Sequence, residues 1–545
     1  MEDGRLSVAV AEERLSRDKH DSSFPEHAIR AVLEDRGLTP ADLGAAVFHE
    51  KPVRKLDRIA TTALTSFPHA LHAFAVVVPD WLRKKLWVRF EIEDVIGRET
   101  PILMGSHHRS HAAAAFCYSP FDEAAVVTVD GVGEWSTATW GVGRGSSLEL
   151  MEEQRYPHSL GLLYSAITSH LGYPINDGEG TIMGLAPHGE PAYREVMERI
   201  APLAADGSVR LDPRIFPFAR GRTRMFSGRL ERLLGPRRPR EDELDDRHRD
   251  IAASLQVHVE EALLRTARHV HAKTGLSRLC LGGGVALNSV ANGRLSRESP
   301  FDEVHVAVAP GDDGACAGAA ADVLARLHGR RVAPLVCPFL GPEPPAPRYE
   351  GTGARTGLSR AEVAAETVRL LARGAVVGLF SGRCEFGPRS LGARSILADP
   401  RDPGVKDRVN GKIKFREGFR PFAPAVLAEK AEDHFVDVPR HAGFMSFVCD
   451  VQPASRDLLP GITHVDGTAR LQTVEREAAP FLHEILTAFD AAEGCPVLLN
   501  TSFNRKGEPI VQTYEQAAVI LRETGLDALV TEESVWVKEP ERFAN

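Results

Sequence analysis

AAVVTVDGVG, residues 124–133, is an apolar run with a single threonine that ends in an aspartate and two glycines. It lacks the polar alternation of a strand with one wet face and is too short for a buried helix. It therefore reads as a strand covered on both sides, with a turn after it. LCLGGGVALN (279–288) and VVGLFSGR (376–383) share this plan. Between such runs lie helical patterns such as DIAASLQVHVEEALLRTARHVHAKTG (250–275), where apolar residues recur every three or four positions and Gly275 supplies a stop. Strands alternating with helices define an α/β class, in which the loops after the strands are free to meet a ligand.

The chain has 545 residues, 43% of them hydrophobic and 26% charged, which predicts two or more well-packed domains. A formal charge of -9 argues against a general nucleic-acid or membrane-surface binder, which needs a basic excess. Seven scattered cysteines without a CxxC pair suggest neither a disulfide framework nor a zinc knuckle, and fit a reducing cytoplasm. The opening MEDGRLSVAV is acidic and lacks the basic-then-apolar order of a secretory signal. The longest uncharged run, residues 59–79, contains two prolines and two histidines and reads as a soluble helix pair rather than a membrane span. Residues 337–353 carry five prolines and three glycines without periodicity. A boundary there predicts domains at 1–338 and 350–545.

Three histidines crowd GSHHRSHAAAA (105–115). On a helix, His107 and His111 share one face and can reach one ion; the alternative is a partly buried helix whose imidazoles bond to neighbours. The strand at 124–129 delivers Asp130 at its end, and VHVAVAPGDDGACAG (304–318) delivers Asp312 and Asp313 in the same way. Two imidazoles with two carboxylates suit iron(II), manganese or zinc. Gly282, Gly283 and Gly284 follow a strand and precede a helical stretch, so they form either a seat for a nucleotide phosphate or a tight turn without a ligand.

In the C-terminal part, GRCEFGPRSLGARSILADPR (382–401) and KIKFREGFRPFAP (412–424) place Arg383, Arg389, Arg394, Arg401, Lys412, Lys414, Arg416 and Arg420 among Gly, Pro and Phe. A solvated helix face would carry acids in similar number at helical spacing. This cluster instead fits phosphate or carboxylate ligands, with an exposed basic surface as the alternative. THVDGTARLQTV (463–474) and GCPVLLNTSFNRKGEPIV (494–511) follow, the latter an apolar strand ending at Asn500, Thr501 and Ser502, where a small ligand can be gripped.

Taken in order, EERLSRDKH (12–20), HHRSHAAAA, TVDGVGE, SLGLLYSAITSHLGYPINDGEGTIMGLAPHG (159–189), GGGVALN, GDDG, FGPRSLGARSILADPR, KFREGFRPFAP, HVDGTARLQTV and NTSFNRKGEPIV resemble the NodU/CmcH carbamoyltransferase family over essentially the whole chain. The resemblance implies an N-terminal actin/sugar-kinase-like domain, similar to the tRNA threonylcarbamoyl-transferring enzymes, and a C-terminal YrdC-like domain. It implies an ATP-dependent O-carbamoyltransferase. The YrdC-like domain would convert carbamoyl phosphate and ATP to carbamoyl adenylate, phosphate and pyrophosphate. The other domain would hold the adenylate beside an iron-type ion while a hydroxyl of a secondary metabolite, antibiotic-like in kind, attacks.

Carried over by position, His107, His111, Asp130 and Asp313 match the family's metal ligands, with Asp313 preferred to Asp312. Gly131, Gly282, Gly283, Gly284 and Asn288 would lie near the nucleotide. Arg389, Lys414, Arg420, Arg470, Asn500 and Ser502 match the carbamoyl phosphate pocket, and Lys19 a basic residue near the active centre. Family members normally begin earlier, with a strand whose following histidine serves as general base. Met1 falls at the turn of the partner hairpin, so the sheet is expected to lose its first strand and expose an edge. His20 is a conceivable substitute base, and a catalytically impaired nucleotide- and metal-binding homologue with a partner or regulatory role is the competing reading. Thr181 stands in GEGTIMGLAP where the family has lysine. Residues 67–81 and 190–250 are where acceptor choice is expected to reside. The family also suggests a homodimer, and nothing points to nucleic acid or membrane partners.

Overall fold

The computed structural model describes residues 1–67, 79, 81, 85–220, 224–349 and 353–543. Most of the 59–79 run beyond its first helix, most of the 67–81 stretch and the end of the 337–353 stretch therefore lie outside the described residues. The chain forms two compact units, one of residues 1–5 and 39–334, the other of residues 6–38 and 335–545. The division falls next to the proline-rich stretch, but it is not sequential. Residues 6–38, expected within a domain spanning 1–338, belong by their contacts to the second unit.

The physical reason is a set of long-range anchors. Helix α1 (Glu12–Ser16) is followed by a turn and helix α2 (Glu26–Arg36). Ala9 donates its backbone N–H to Leu340 O at 2.8 Å, and Asp35 at the end of α2 accepts from Glu343 N at 2.7 Å and pairs with Arg383 at 3.0 Å.

In the first unit, β1 (Ala46–Phe48) pairs in parallel with β2 (Ile102–Met104), and helix α3 (Pro52–Thr65) follows β1 closely. The main sheet has five strands, β3 (Glu123–Val129), β4 (Ser136–Arg144), β5 (Ser147–Arg155), β6 (Arg278–Gly282) and β7 (Glu303–Val306), in the order β5-β4-β3-β6-β7. Strands β3, β6 and β7 run parallel, and every residue of β3 after Glu123 is buried, as an apolar run covered on both faces requires. Helix α4 (His107–Cys117) is buried along nearly its whole length and packs against α7 (Asp312–His328). Between them in sequence come α5 (Asp246–Thr274), closed by Gly275 as its pattern predicts, and α6 (Ser289–Glu298).

The alanines after the histidines explain how close α4 and α7 come. Ala112, Ala113 and Ala115 are wholly inaccessible to solvent, and Gly318 of α7 lies so near Ser110 and Ala114 that a Cβ would stand 2.6 Å from Ala114 N. Small side chains on both helices let their backbones meet.

The second unit carries a mixed nine-stranded sheet in the order β12-β13-β11-β14-β10-β9-β15-β16-β8. Its strands are β8 (Arg355–Thr356), β9 (Val377–Phe380), β10 (Arg394–Ala398), β11 (Ala423–Leu427), β12 (Phe447–Asp450), β13 (Thr468–Val474), β14 (Val497–Ser502), β15 (Ala528–Val530) and β16 (Ser534–Val537). Helices α8 (Arg360–Ala372) and α9 (Pro480–Glu493) pack together over it. Both units are thus mixed α/β. Among the described residues, no helix is long and apolar enough to cross a membrane.

Candidate functional site

The first unit assembles His107, His111, Asp130 and Asp312 so that one ligand atom from each lies within 4.8 Å of the others. The two imidazoles stand one turn apart on α4, with their Nε2 atoms 3.2 Å from each other. Asp130 leaves the end of β3, where its Oδ2 lies 3.1 Å from His107 Nε2 and its Oδ1 accepts the Gly284 N–H at 3.0 Å. Asp312 opens α7, and its Oδ1 lies 3.1 Å from His111 Nε2 and 3.5 Å from His107 Nε2. The carboxylate that reaches the imidazoles is therefore that of Asp312, not Asp313. Gly311 caps α7, so Asp312 is the first helical residue and faces α4, whereas its neighbour is rotated about 100° around the axis. His108, between the two, is tied to Thr128 Oγ1 at 2.7 Å and Ser136 O at 2.9 Å, a structural role.

Burial opposes a charge on His107, but hydrogen bonding to Asp130, the nearby Glu50 carboxylate and the charge of Asp312 outweigh it and push its pKa up to about 10. Asp130 is half-buried, and its desolvation favours the neutral form; the three surrounding imidazoles reverse this and hold it well below the usual carboxylate range. The cluster is thus an ion-paired knot of cationic imidazole and carboxylates, and a metal ion would take the proton's place.

The glycines of the 282–284 turn serve this cluster directly. Gly283 has φ +88°, and a Cβ there would collide with the end of β3. Gly284 supplies the N–H to Asp130. Gly131 follows Asp130 in the turn after β3, and its carbonyl accepts from Ser159 Oγ at 2.7 Å. Asn288 caps α6 by accepting from Ala291 N at 3.1 Å, and exchanges two amide hydrogen bonds with Gln256 at 3.0 and 3.1 Å. Its side chain is committed to the fold. Thr181 is buried in a short helix, Glu179–Leu185.

In the second unit, cations gather where β13, β14 and the loop before β10 meet. Arg470 on β13 is half-buried, its Nε has no partner among the described residues, and the charges acting on it come from Arg389, Arg416 and Arg420. Burial and these like charges drive its pKa well below the ordinary value. Lys414 is buried at the end of a widened turn, Asn410–Lys414, and donates to Ser502 O, to Ser502 Oγ at 3.0 Å, to Asn504 O at 3.1 Å and to Asn504 Oδ1 at 2.7 Å. Burial lowers its pKa far below a free lysine's, and Arg416, Arg420 and Lys19 lower it further. Arg416 is pushed down to about 9 by burial and Arg420. Asn500 donates to Gln472 Oε1 at 2.7 Å and Ser390 O at 3.2 Å, leaving its own Oδ1 buried without a partner among the described residues.

The N-terminal segment completes this pocket. Arg14 donates to Gly387 O at 2.9 Å in the loop that carries Arg389, and Arg17 donates to Ile510 O at 2.6 Å and Pro509 O at 2.9 Å in the loop after β14. Lys19 follows and contributes its charge near Lys414. His20 is exposed at a left-handed position, φ +59°, with its N–H on Glu13 at 2.9 Å, and it too belongs to the second unit.

Family comparison bears on both units. The family model described as carbamoyltransferase N-terminus matches residues 1–321, and the one described as carbamoyltransferase C-terminus matches residues 368–538. The chain belongs to the carbamoyltransferase family. It is 41% identical to an uncharacterized protein of Synechocystis sp. over 99% of this chain and 95% of that one. It is 37% identical to nodulation protein NolNO of Sinorhizobium fredii, over 97% of this chain and 76% of the relative. Nodulation protein NolO of Bradyrhizobium diazoefficiens is 40% identical over 78% of this chain and 77% of its own length.

Within this carbamoyltransferase, not every cation of the 382–420 runs joins the pocket. Arg383 is consumed by Asp35 and Glu343, Arg394 by the carbonyls of Ser381, Gly382 and Ala393, and Arg401 by Asp399 and Glu493. Sequence reading missed Gln472 and Asn504, which hold Asn500 and Lys414. Gln472 stands two residues from Arg470 on one strand, hence on the same face, and that spacing was a usable signal. It also missed Glu385, whose Oε1 accepts the backbone N–H groups of Leu391, Gly392, Ala393 and Arg394 at 2.8 to 3.1 Å and shapes the Arg389 loop.

Proposed function

We propose that this carbamoyltransferase consumes carbamoyl phosphate and ATP in its second unit, forms carbamoyl adenylate, and transfers the carbamoyl group in its first unit to a hydroxyl of a secondary metabolite of antibiotic-like kind. The observation that carries the reading is Arg470 among Arg389, Arg416 and Arg420. Grouping cations in a half-buried pocket costs free energy; Glu417, 3.8 Å from Arg420, offsets part of it, and bound anions would supply further compensating charge. Carbamoyl phosphate and a triphosphate are such anions, and planar guanidinium groups bind their oxygens through paired hydrogen bonds.

Hydrolysis of carbamoyl phosphate gives carbamate and phosphate. A carbamate oxygen then bonds to the α-phosphorus of ATP as the bond to the leaving pyrophosphate breaks, and the pocket cations offset the charge that collects on both groups. At transfer, the acceptor oxygen bonds to the carbamoyl carbon, its proton leaves to a base, and AMP departs. In the first unit, His107, His111, Asp130 and Asp312 form a two-nitrogen, two-oxygen donor set that fits a divalent ion, iron(II) foremost and manganese or zinc otherwise. When bound, the ion would supply Lewis-acid neutralisation of phosphate charge. Gly284 and Asp130 hold the turn that would face the nucleotide.

The test is pyrophosphate release from carbamoyl phosphate and ATP without acceptor. Wild type should release it and Arg470→Met should not. Release that persists in the variant, or its absence from wild type, refutes the pocket assignment.

A further inference from the structure

The two ring nitrogens of His107 have different fates. Nε2 faces Asp130, Asp312 and His111, while Nδ1 is buried, makes no hydrogen bond among the described residues, and has Glu50 Oε2 3.4 Å away. Glu50 sits in the short link between β1 and α3, and this link is fastened to the start of α4. Gly105 N–H donates to Phe48 O at 2.7 Å and Ser110 Oγ to His49 O at 2.8 Å. Glu134 accepts from Lys51 N at 2.8 Å and from Ser106 Oγ at 3.1 Å, joining the same two elements again. Lys55 Nζ, one turn into α3, holds both oxygens of Glu50 at 2.9 and 3.1 Å. His49, Glu50 and His107 also converge, but the ammonium of Lys55 already occupies the carboxylate, so this grouping is no second cation site.

We infer that Glu50 is a positioning residue for the metal ligand His107, accepting its Nδ1–H so that the lone pair of Nε2 points at the ion, with Lys55 fixing the carboxylate. The inference rests on reading the four-residue cluster as a divalent-metal site. A ligating imidazole whose other nitrogen donates to a carboxylate is held in one tautomer and one orientation, and becomes a stronger donor. That nitrogen has no hydrogen-bond partner among the described residues, and the carboxylate that approaches it is Glu50, at 3.4 Å. A merely structural Glu50–Lys55 ion pair would leave the ion's affinity untouched.

The experiment is competition for Co(II) between the full-length protein and a chromophoric chelator, with the Co(II) visible spectrum and apo-protein melting recorded alongside. Relative to wild type, affinity should fall about tenfold in Glu50→Gln, which keeps an acceptor atom, and about a hundredfold in Glu50→Ala. The spectrum should change as His107 loosens, and His107→Ala should abolish binding. Affinity and spectrum unchanged in both Glu50 variants overturn the positioning role while the metal site stands. Should Glu50→Ala not fold, Glu50→Gln decides alone by the same criterion. Wild-type protein that binds no Co(II), or that binds it equally well without His107, overturns the metal site itself and the inference with it.

Discussion

Gly318→Ala tests whether the contact of two helix backbones sets the cluster geometry. An added Cβ would lie 2.6 Å from Ala114 N and closer still to Ser110 O. Ordinary contacts of carbon with a backbone polar atom begin at about 3.3 Å. Helices α4 and α7 must therefore part by at least about 0.7 Å to restore that contact. Asp312 lies on the same rigid helix, six residues from Gly318, and is carried along. Its 3.1 Å approach to His111 would open by a similar amount. Metal cages tolerate distance errors of roughly 0.2 Å, so the displacement exceeds what four-ligand binding accepts. Overpacking adds a destabilisation of about 1–3 kcal/mol. Co(II) competition should show affinity lowered by at least about tenfold, the low end of what loss of a supporting contact costs, and the melting temperature should drop by a few degrees. Wild-type affinity together with an unchanged melting temperature would refute the claim that the α4–α7 approach builds the site.

Asp312→Asn should weaken Co(II) binding strongly and Asp313→Asn should leave it near wild type, since Asp312 alone of the pair reaches the imidazoles; the chelator titration distinguishes them. His170 is wholly buried with both ring nitrogens unpartnered among the described residues, and burial, helped by Arg247, lowers its pKa from 6.5 to about 4. The folded protein thus keeps this imidazole neutral while the unfolded chain protonates it. Its contribution is intact above pH 6.5 and is lost as pH falls toward 4, by at most about 3 kcal/mol at 1.36 kcal/mol per pKa unit. His170→Phe should flatten the melting-temperature profile in that window, and an unchanged slope would show that another group governs acid lability.

What sequence could and could not reveal divides along physical lines. Buried strands were legible because complete burial removes polar alternation, and the loops after them delivered Asp130 and the glycine turn as a parallel sheet requires. The pair Asp312 and Asp313 was not resolvable, because adjacent residues on a helix differ by a rotation that the approach of a second helix converts into reach. Arg383, Arg394 and Arg401 looked like pocket cations because their neighbours in the chain are small or apolar. Asp35 and Glu343 reach Arg383 and Glu493 reaches Arg401 from far along the sequence, while Arg394 is spent on backbone carbonyls that no pattern of side chains reveals.

The N-terminal segment makes the same point in reverse. EERLSRDKH was legible as a motif, yet a motif does not state which sheet it serves. Arg14 and Arg17 spend their guanidinium groups on carbonyl oxygens of two pocket loops, Gly387 beside the Arg389 turn and Pro509–Ile510 after β14. Backbone carbonyls do not neutralise a cation, and the acids that act on Arg17 are Glu508 and Glu13. The segment that seemed to open the first domain thus contributes charge to the second unit, and Lys19 beside Lys414 extends that charge.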